Sequence, residues 1–364
     1  MESPLRYFSS LTGPHVGRTR EHDLEDILLI AIASVLCGAE GWNEMEEFDK
    51  AKEDWLKTFL RLPGGIPSHD TFNRAFSALD PGELEACFMD WTRPVAGLCE
   101  NEVIAIDGKS LCGSHDSGKK SIVHMVSAWA GHNHLVLGQR KVDEKGNGIT
   151  AIPKLLELLV IKGCTVTIDA MGCQKDIASG IIGKEAGCLL ALKGNQGILP
   201  EQAEDSFRFL PASGFGEEPD AGHGRVETRQ CSVVGDLSLI ESKEEWKGLR
   251  TLARIEPERY IKSTGKTEKE IRFYISSLPA DARLINRSAR ARWSIGNSLH
   301  WVLGVGFNED GSRKRNGFAA QNYSLLNRIA LNLLKNDRTT KVGVRGKRLK
   351  AGWDYNYLIK LIKN

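Results

Sequence analysis

Hydrophobic residues recur at helical spacing through the first hundred positions and then give way to short, unbroken apolar runs. This pattern predicts a helical N-terminal region followed by an α/β one. Segment 24–38 has helical periodicity, ends at Gly38 and holds the longest apolar run, "ILLIAIASVLCG" (27–38). That run is shorter than the roughly 20 residues a bilayer crossing needs, and the acidic "HDLED" before it is no basic leader, so it reads as a buried core helix. "NEMEEFDKAKEDWLKTFL" (43–60) is amphipathic, with Trp55, Phe59 and Leu60 available for packing. "GGIPSHDTFNRAFSAL" (64–79) gives a Gly-Pro turn with Ser68 as N-cap, and Asp80-Pro81 caps a further helix. Short helices joined by tight turns fit a helix-turn-helix and fit a plain bundle equally well.

From residue 103 the period changes. "VIAID" (103–107) is a short apolar strand ending in aspartate, followed by "GKSLCGSHDSGKK", which reads as a loop. "SIVHMVSAWA" (121–130) and "HLVLGQRKV" (134–142) form a hairpin through the turn "GHNH". Then come a helix at 151–163 with Gly163 at its end, a second aspartate-ended strand "TVTID" (165–169), a helix in "QKDIASGIIGKEAG", and the strand "CLLALKGNQ" (188–196). Three antiparallel strands followed by helix–strand units describe a ribonuclease-H-like core, in which the first and fourth strands lie side by side and bring Asp107 and Asp169 together. Residues 200–282 turn β-rich and irregular, with alternating strands at 224–234, 249–256 and 269–278, and predict an inserted β subdomain. Helix returns at 281–304, and 319–335 is amphipathic through Leu325, Leu326, Ile329, Leu333 and Leu334. The expected fold class is α/β. Residues 1–100 are expected to form an N-terminal helical domain, 101–335 a ribonuclease-H-like domain containing the insertion, and 336–364 a basic C-terminal segment.

Composition narrows the function classes. A chain of 364 residues with 41% hydrophobic and 26% charged content is ordinary for a globular protein. The eight cysteines are scattered singly, without a C-x-x-C pair, which points to reduced thiols and away from zinc. Net charge is only +2, but its distribution is uneven: seven basic residues stand against Asp337 between Lys335 and Lys350, and "GSRKR" (311–315) adds three more. That quarter of the chain is a candidate phosphate-binding surface, with a merely solvated face as the plain alternative.

An aspartate ending an apolar strand is costly unless it caps the strand, pairs with a cation or binds a metal. Two on neighbouring strands can bridge divalent ions that activate a water or hydroxyl for phosphodiester chemistry, and hard oxygen ligands suit Mg²⁺ or Mn²⁺. Lys193, Asn195 and Gln196 follow a strand beside this pair, where they are either phosphate or base contacts or an ordinary turn. Arg225, with His223 in "GHGR", is a weaker phosphate candidate, and His132 and His134 read as hairpin-turn residues. No phosphate-binding Walker loop is present, so no nucleotide cofactor is expected. On the helix near 293, Arg290, Arg292, Trp293 and Trp301 interleave cations and aromatics; the tryptophans are expected to pack in the core, with base stacking as the alternative. Gly296 interrupts that helix at a cost of roughly 1 kcal/mol.

"VIAIDGKSL", "TVTIDAMGCQKDIA", "LLALKGNQG", "IGNSLHWVLGVGFNEDGSRKR" and "NRIALNLLK" together resemble the H-repeat-associated, ISAs-type insertion-sequence transposases of the DDE group. "LEDILLIAIASVLCGAEGW" and "GIPSHDTF" resemble the helical domain that precedes their catalytic core, so the resemblance covers nearly the whole chain. It implies that Asp107 and Asp169 are the first two catalytic, metal-binding acids. The third acid of the family is a glutamate in W-x-[IV]-E-N-x-L-H-W, and here that position is Gly296. Gly304 replaces an aspartate, and Gly146 and Gly148 stand where serine and glutamate are usual. Glu309 and Asp310 are the next acids, about 20 Å away on one continuous helix, so they replace the glutamate only if the chain folds back.

The resemblance further implies Mg²⁺ or Mn²⁺, double-stranded DNA with terminal inverted repeats as partner, and a homodimer on paired ends. It implies a cytoplasmic, nucleoid-associated bacterial protein without a membrane anchor. DNA contacts are expected from Lys193, Asn195, Gln196, Arg225, Arg290, Arg292, Asn297, His300, Trp301, Arg313, Lys314, Arg315, Arg345, Lys347 and Arg348. The alternatives are a catalytically inactive DNA-binding derivative and a ribonuclease-H-like nuclease acting on structured nucleic acid.

Overall fold

A computed structural model describes residues 3–13, 22–96, 102–115, 122–143, 148–212, 214–222 and 225–363. The N-terminal region holds α1 (Leu5–Phe8), α2 (Leu24–Leu36), α3 (Trp42–Leu56), α4 (His69–Ala78) and α5 (Pro81–Ala96). Every residue of α2 from Asp26 to Leu36 is buried, as its apolar run requires, and Gly38 leaves the helix at φ +115°, a conformation open to glycine. Ser68 caps α4 by accepting the Thr71 N–H. Asp80 accepts the Glu83 N–H at 2.9 Å at the start of α5.

One N-terminal group is costly. Asp49 on α3 is fully buried and neither carboxyl oxygen has a hydrogen-bond partner. Burial, reinforced by Glu46, pushes its carboxyl from 3.8 up to about 8. The folded value lies above the unfolded one, so Asp49 contributes most stability below about pH 4 and that contribution is lost as pH rises towards 8. Each unit of separation corresponds to about 1.4 kcal/mol. Asp49→Asn is therefore expected to raise the thermal midpoint at pH 8 and to leave it nearly unchanged near pH 3, as calorimetry at the two pH values would read.

The sheet begins with β1 (Val103–Leu111), β2 (Val123–Ala130) and β3 (Leu135–Lys141), continues through α6 (Gly148–Leu158) to β4 (Thr165–Ile168), and through α7 (Lys175–Gly183) to β5 (Gly187–Ala191). Strand order is β3-β2-β1-β4-β5: β1 and β2 are antiparallel, whereas β1, β4 and β5 are parallel. Val103–Ile106 is buried at every position, as a strand covered on both faces must be. β1 runs four residues beyond the expected end at Asp107, because "GKSL" keeps its antiparallel partners on β2, Gly108↔Val126 through Leu111↔Val123.

The segment expected as a separate β subdomain starts with α8 (Leu199–Phe209) and supplies β6 (Gly214–Gly222), β7 (Arg225–Val234), β8 (Thr251–Ile261), β9 (Lys266–Lys269) and β10 (Arg272–Ser276). These strands form no sheet of their own. β10 pairs antiparallel with β5, and β8, β7 and β6 follow, so the core sheet continues as β5-β10-β8-β7-β6 with β9 on β8. The open edge of β5 supplies the reason: its unpaired backbone groups need a partner strand. α9 (Ala282–Ile295), capped by Asp281 on the N–H groups of Arg283 and Leu284, packs Ala282, Ile285 and Ala289 onto Cys231, Val233, Ile255 and Tyr274. It also reaches β1 and β4.

The helix α10 (Ala319–Asn336) is not amphipathic in use: all residues from Gln321 to Leu334 are buried. Its polar side chains take backbone groups of neighbours. Asn332 both accepts from and donates to Val136 on β3, at 2.9 and 2.8 Å, and Asn322 donates to the carbonyls of Phe76 and Leu79. The basic C-terminal segment folds into α11 (Val344–Trp353) and α12 (Tyr355–Lys363), packed on α2 and α10. Among the described residues, no helix is long and apolar enough to cross a membrane.

Candidate active site

Ile106 of β1 pairs with Ile168 of β4 in parallel register, so Asp107 and Asp169 are the next residues at the same level on adjacent strands. The sheet thus brings the two predicted acids together. Asp169 caps the short turn Ala170–Gly172, accepting the Gly172 N–H at 3.2 Å, and Asn195 donates to the Ala170 carbonyl at 3.0 Å. Gly172 is required there: a Cβ would lie 2.3 Å from Ile168 Cγ2 and 2.9 Å from Ile152 Cδ1. Asp107 accepts the Gly108 N–H at 3.0 Å. Burial raises its carboxyl above the ordinary value; the Gly108 N–H and Arg292 oppose this, and Asp169 adds to it. A divalent cation would relieve this excess of negative charge.

The helix above this pair continues from α9 into two π-wound turns, Gly296–His300 and Val302–Gly306, a departure from regular winding that is frequent at functional sites. Arg292, Gly296, His300 and Gly304 follow one another at four-residue spacing. Arg292 acts on Asp107, and His300 Nε2 lies 3.8 Å from Asp107 Oδ2. Burial, then Arg328 and Lys109, depress the His300 imidazole to about 4, so it is neutral at pH 7. Gly296 sits between these two Asp107 neighbours, and a Cβ built on it meets nothing within 4 Å.

The chain does fold back. Asn308 takes a left-handed conformation (φ 50°), and Glu309 and Asp310 return to the site. Lys109 Nζ lies 3.2 Å from Glu309 Oε2, 3.1 Å from Asp310 Oδ1 and 3.5 Å from the His300 carbonyl oxygen. Both acids are occupied by cations. Burial alone would raise Glu309, but Arg328, 2.7 Å away, and Lys109 hold it below the ordinary carboxylate value. A Cβ on Gly304 would stand 2.8 Å from Asp310 Oδ2, so Asp310 occupies the space beside this second glycine. Lys109 was missed because "GKSL" reads as loop; on the observed strand it is two residues beyond Asp107 and shares its face.

The remaining candidates divide by exposure. Lys193, Asn195, Asn297, Arg313 and Arg345 are exposed, whereas Gln196, Arg290, Arg292, His300 and Arg315 are half-buried, with Arg315 Nε on the Gly113 carbonyl. Trp301 is 62% exposed, which overturns the expectation of core packing. Trp293 is half-buried against Arg272 and Arg229, whose guanidinium carbons lie 3.9 and 5.2 Å from its ring centre. Three expected DNA contacts are buried. Lys314 donates to the Glu40 carbonyl; Lys347 donates to the carbonyls of Leu334 and Asp337; Arg348 donates to those of Val35, Ala39 and Gly306. Their donors are engaged by backbone carbonyls inside the protein. Gly148 opens α6, where a Cβ would meet Met171 at 2.8 Å. Gly146, His223 and the Arg225 side chain lie outside the described residues.

Two carboxylates at one level suit a hard divalent ion that completes its shell with water and substrate oxygens. Among the described residues no group of three or more His, Cys, Asp or Glu side chains is placed to hold a metal. Residues 99–333 match the transposase DDE domain, and residues 5–92 match the DDE_Tnp_1-associated domain. The candidate transposase YncI of Escherichia coli O157:H7 is 41% identical over 370 aligned residues, covering 100% of this chain and 95% of YncI. The H repeat-associated candidate transposase YhhI of Escherichia coli (strain K12) is 42% identical over 351 residues, covering 94% and 93% of the two chains. A solved piggyBac transposase synaptic complex with hairpin DNA aligns with a TM-score of 0.45 and 11% identity, over 98% of this chain and 75% of that one. With two strand-end aspartates in register and both family domains matched along its length, the chain belongs to the transposase DDE domain family, as an H-repeat-associated member.

Proposed function

We propose that this chain binds the terminal inverted repeats of an insertion sequence and directs DNA strand cleavage and transfer, with activity impaired by Gly296. The observation that carries the reading is the parallel register that sets Asp107 beside Asp169 under a helix bearing Arg292 and His300. Asp107 and Asp169 would hold Mg²⁺ or Mn²⁺, an ion that, when bound, activates the attacking oxygen and neutralises charge on the leaving one. The Gly172 N–H orients Asp169, Asn195 holds the Ala170 carbonyl of the same turn, and Arg292 offsets the charge on Asp107. Lys193, Arg290, Asn297, Trp301, Arg313, Arg315 and Arg345 are the accessible candidates for DNA contact, with residues 1–100 as a helical DNA-binding domain and a homodimer bridging the two ends.

A second reading, a DNA-binding derivative without catalysis, is favoured by one observation: the described residues hold two acids and no third ligand. One experiment separates the readings. Duplexes carrying the element's terminal repeats are expected to bind more tightly than scrambled duplexes, with affinity falling steeply as salt rises. Residual nicking with Mn²⁺ is expected to vanish in Asp107→Asn while binding persists. Equal affinity for both duplexes overturns the end-binding reading, and specific binding without any nicking leaves the inactive derivative.

A further inference from the structure

Beside Asp107 a buried polar atom is left without a partner: among the described residues, nothing hydrogen-bonds His300 Nε2. Its neighbour is Asp107 Oδ2 at 3.8 Å, beyond the roughly 3.2 Å limit of a good hydrogen bond. The other carboxyl oxygen, Oδ1, accepts the Gly108 N–H at 3.0 Å, which leaves Oδ2 facing the imidazole. A buried nitrogen and a carboxylate oxygen thus stand opposite each other, too far apart to satisfy one another directly. Such an orphan in a native fold calls for a missing partner.

The spacing suits an ion. Two donors that each stand about 2.0–2.2 Å from one divalent cation lie roughly 3–4 Å apart, a span that includes the observed separation. The imidazole is 15% exposed and the Asp107 side chain 34%, so water and substrate oxygens can reach the pair through the carboxylate side. The turn that carries the ring is anchored. Leu299 and Val302 on either side are buried, and Lys109 Nζ lies 3.5 Å from the His300 carbonyl oxygen. The π winding of Gly296–His300 is a local departure from regular helix at this point.

We propose that His300 Nε2 is a nitrogen ligand of the divalent ion at Asp107, supplied by the same helix that has no side-chain donor at Gly296. The ring carries its proton on Nδ1 and turns the Nε2 lone pair to the ion. Asp169 joins from β4 as the ion draws the side chains together, since among the described residues no three of them converge unaided. The inference rests on the metal-dependent reading above and narrows the class of ion. Carboxylates alone suit Mg²⁺, whereas imidazole favours first-row transition ions, so Mn²⁺ and Co²⁺ bind this site more tightly than Mg²⁺.

The test is electron spin-echo spectroscopy of Mn²⁺ bound to the full chain, with affinity read on the same samples from the signal of free Mn²⁺. Modulation from a coordinated ¹⁴N is expected in the parent chain. It is expected to disappear in His300→Gln, together with at least tenfold of the Mn²⁺ affinity, the scale on which changes around a bound metal act. Labelling the parent chain with ¹⁵N-histidine should convert the ¹⁴N pattern to that of ¹⁵N, a readout that needs no variant to fold. Bound Mn²⁺ without nitrogen modulation, or modulation that survives in a folded His300→Gln, overturns the ligand and leaves the metal reading standing. A chain that binds no Mn²⁺, alone or with terminal-repeat DNA, removes both.

Discussion

Gly296→Glu is expected to raise cleavage of terminal-repeat DNA by on the order of 10²- to 10³-fold in Mg²⁺ or Mn²⁺, the scale typical of one well-placed electrostatic group in an active site. The position lies one four-residue step from Arg292, whose charge acts on Asp107, and from His300, whose Nε2 lies 3.8 Å from Asp107 Oδ2. A Cβ there meets no packed neighbour within 4 Å, so the first side-chain carbon is accommodated without repacking. Glutamate is also the better helix former, by up to about 1 kcal/mol relative to glycine. Without metal, however, a third carboxylate near Asp107 and Asp169 adds like-charge repulsion. Mg²⁺ should therefore raise the thermal midpoint of Gly296→Glu more than that of the parent chain, since a ligand that binds only the folded state stabilises it. Gly296→Gln should give neither gain. A folded, DNA-binding Gly296→Glu that shows no added Mg²⁺ stabilisation would mean that position 296 does not face the aspartates. Gly304→Asp alone is a poorer route, because its Cβ would lie 2.8 Å from the Asp310 carboxylate.

The Asp107–Asp169 juxtaposition was legible because it depends only on strand order and on which residue ends each apolar run. Local periodicity carries both. What it could not carry was the fate of charge. Lys347 and Arg348 look like a phosphate-binding run, yet each side chain reaches backbone carbonyls of distant segments, Val35 and Ala39 among them, and no local pattern encodes those acceptors. Glu309 and Asp310 are distant from position 296 only on an unbroken helix; whether the chain folds back is not written in the periodicity, and it turns at Asn308, which is left-handed. Position 304 was legible only as a missing aspartate; that Asp310 fills the space beside it is a property of the tertiary fold.

Arg328→Met is expected to destabilise the chain by about 3–5 kcal/mol, the cost of leaving a buried charge uncompensated. Both side chains of the pair are buried, Arg328 at 0% and Glu309 at 2% exposure. Arg328 Nη1 donates to Glu309 Oε1 at 2.7 Å and to the Ser324 hydroxyl and carbonyl, while its Nε reaches Ser127, 3.4 Å away. Ser127 on β2 is the cross-strand partner of Asp107, so this guanidinium ties α10 and the returning loop to the sheet at the level of Asp107. Removing it leaves Glu309 with Lys109 as its remaining ion-pair partner. The sign of the pH dependence follows from the lowered Glu309 carboxyl: its contribution is present above the unfolded carboxylate range and is lost as pH falls through the folded value. The deficit of Arg328→Met in urea unfolding should therefore be largest near neutrality and shrink in acid, where Glu309 can be protonated. Arg328→Met combined with Glu309→Gln should recover much of the loss at pH 7. Costs that simply add in this double-mutant cycle would show that the pair is not coupled.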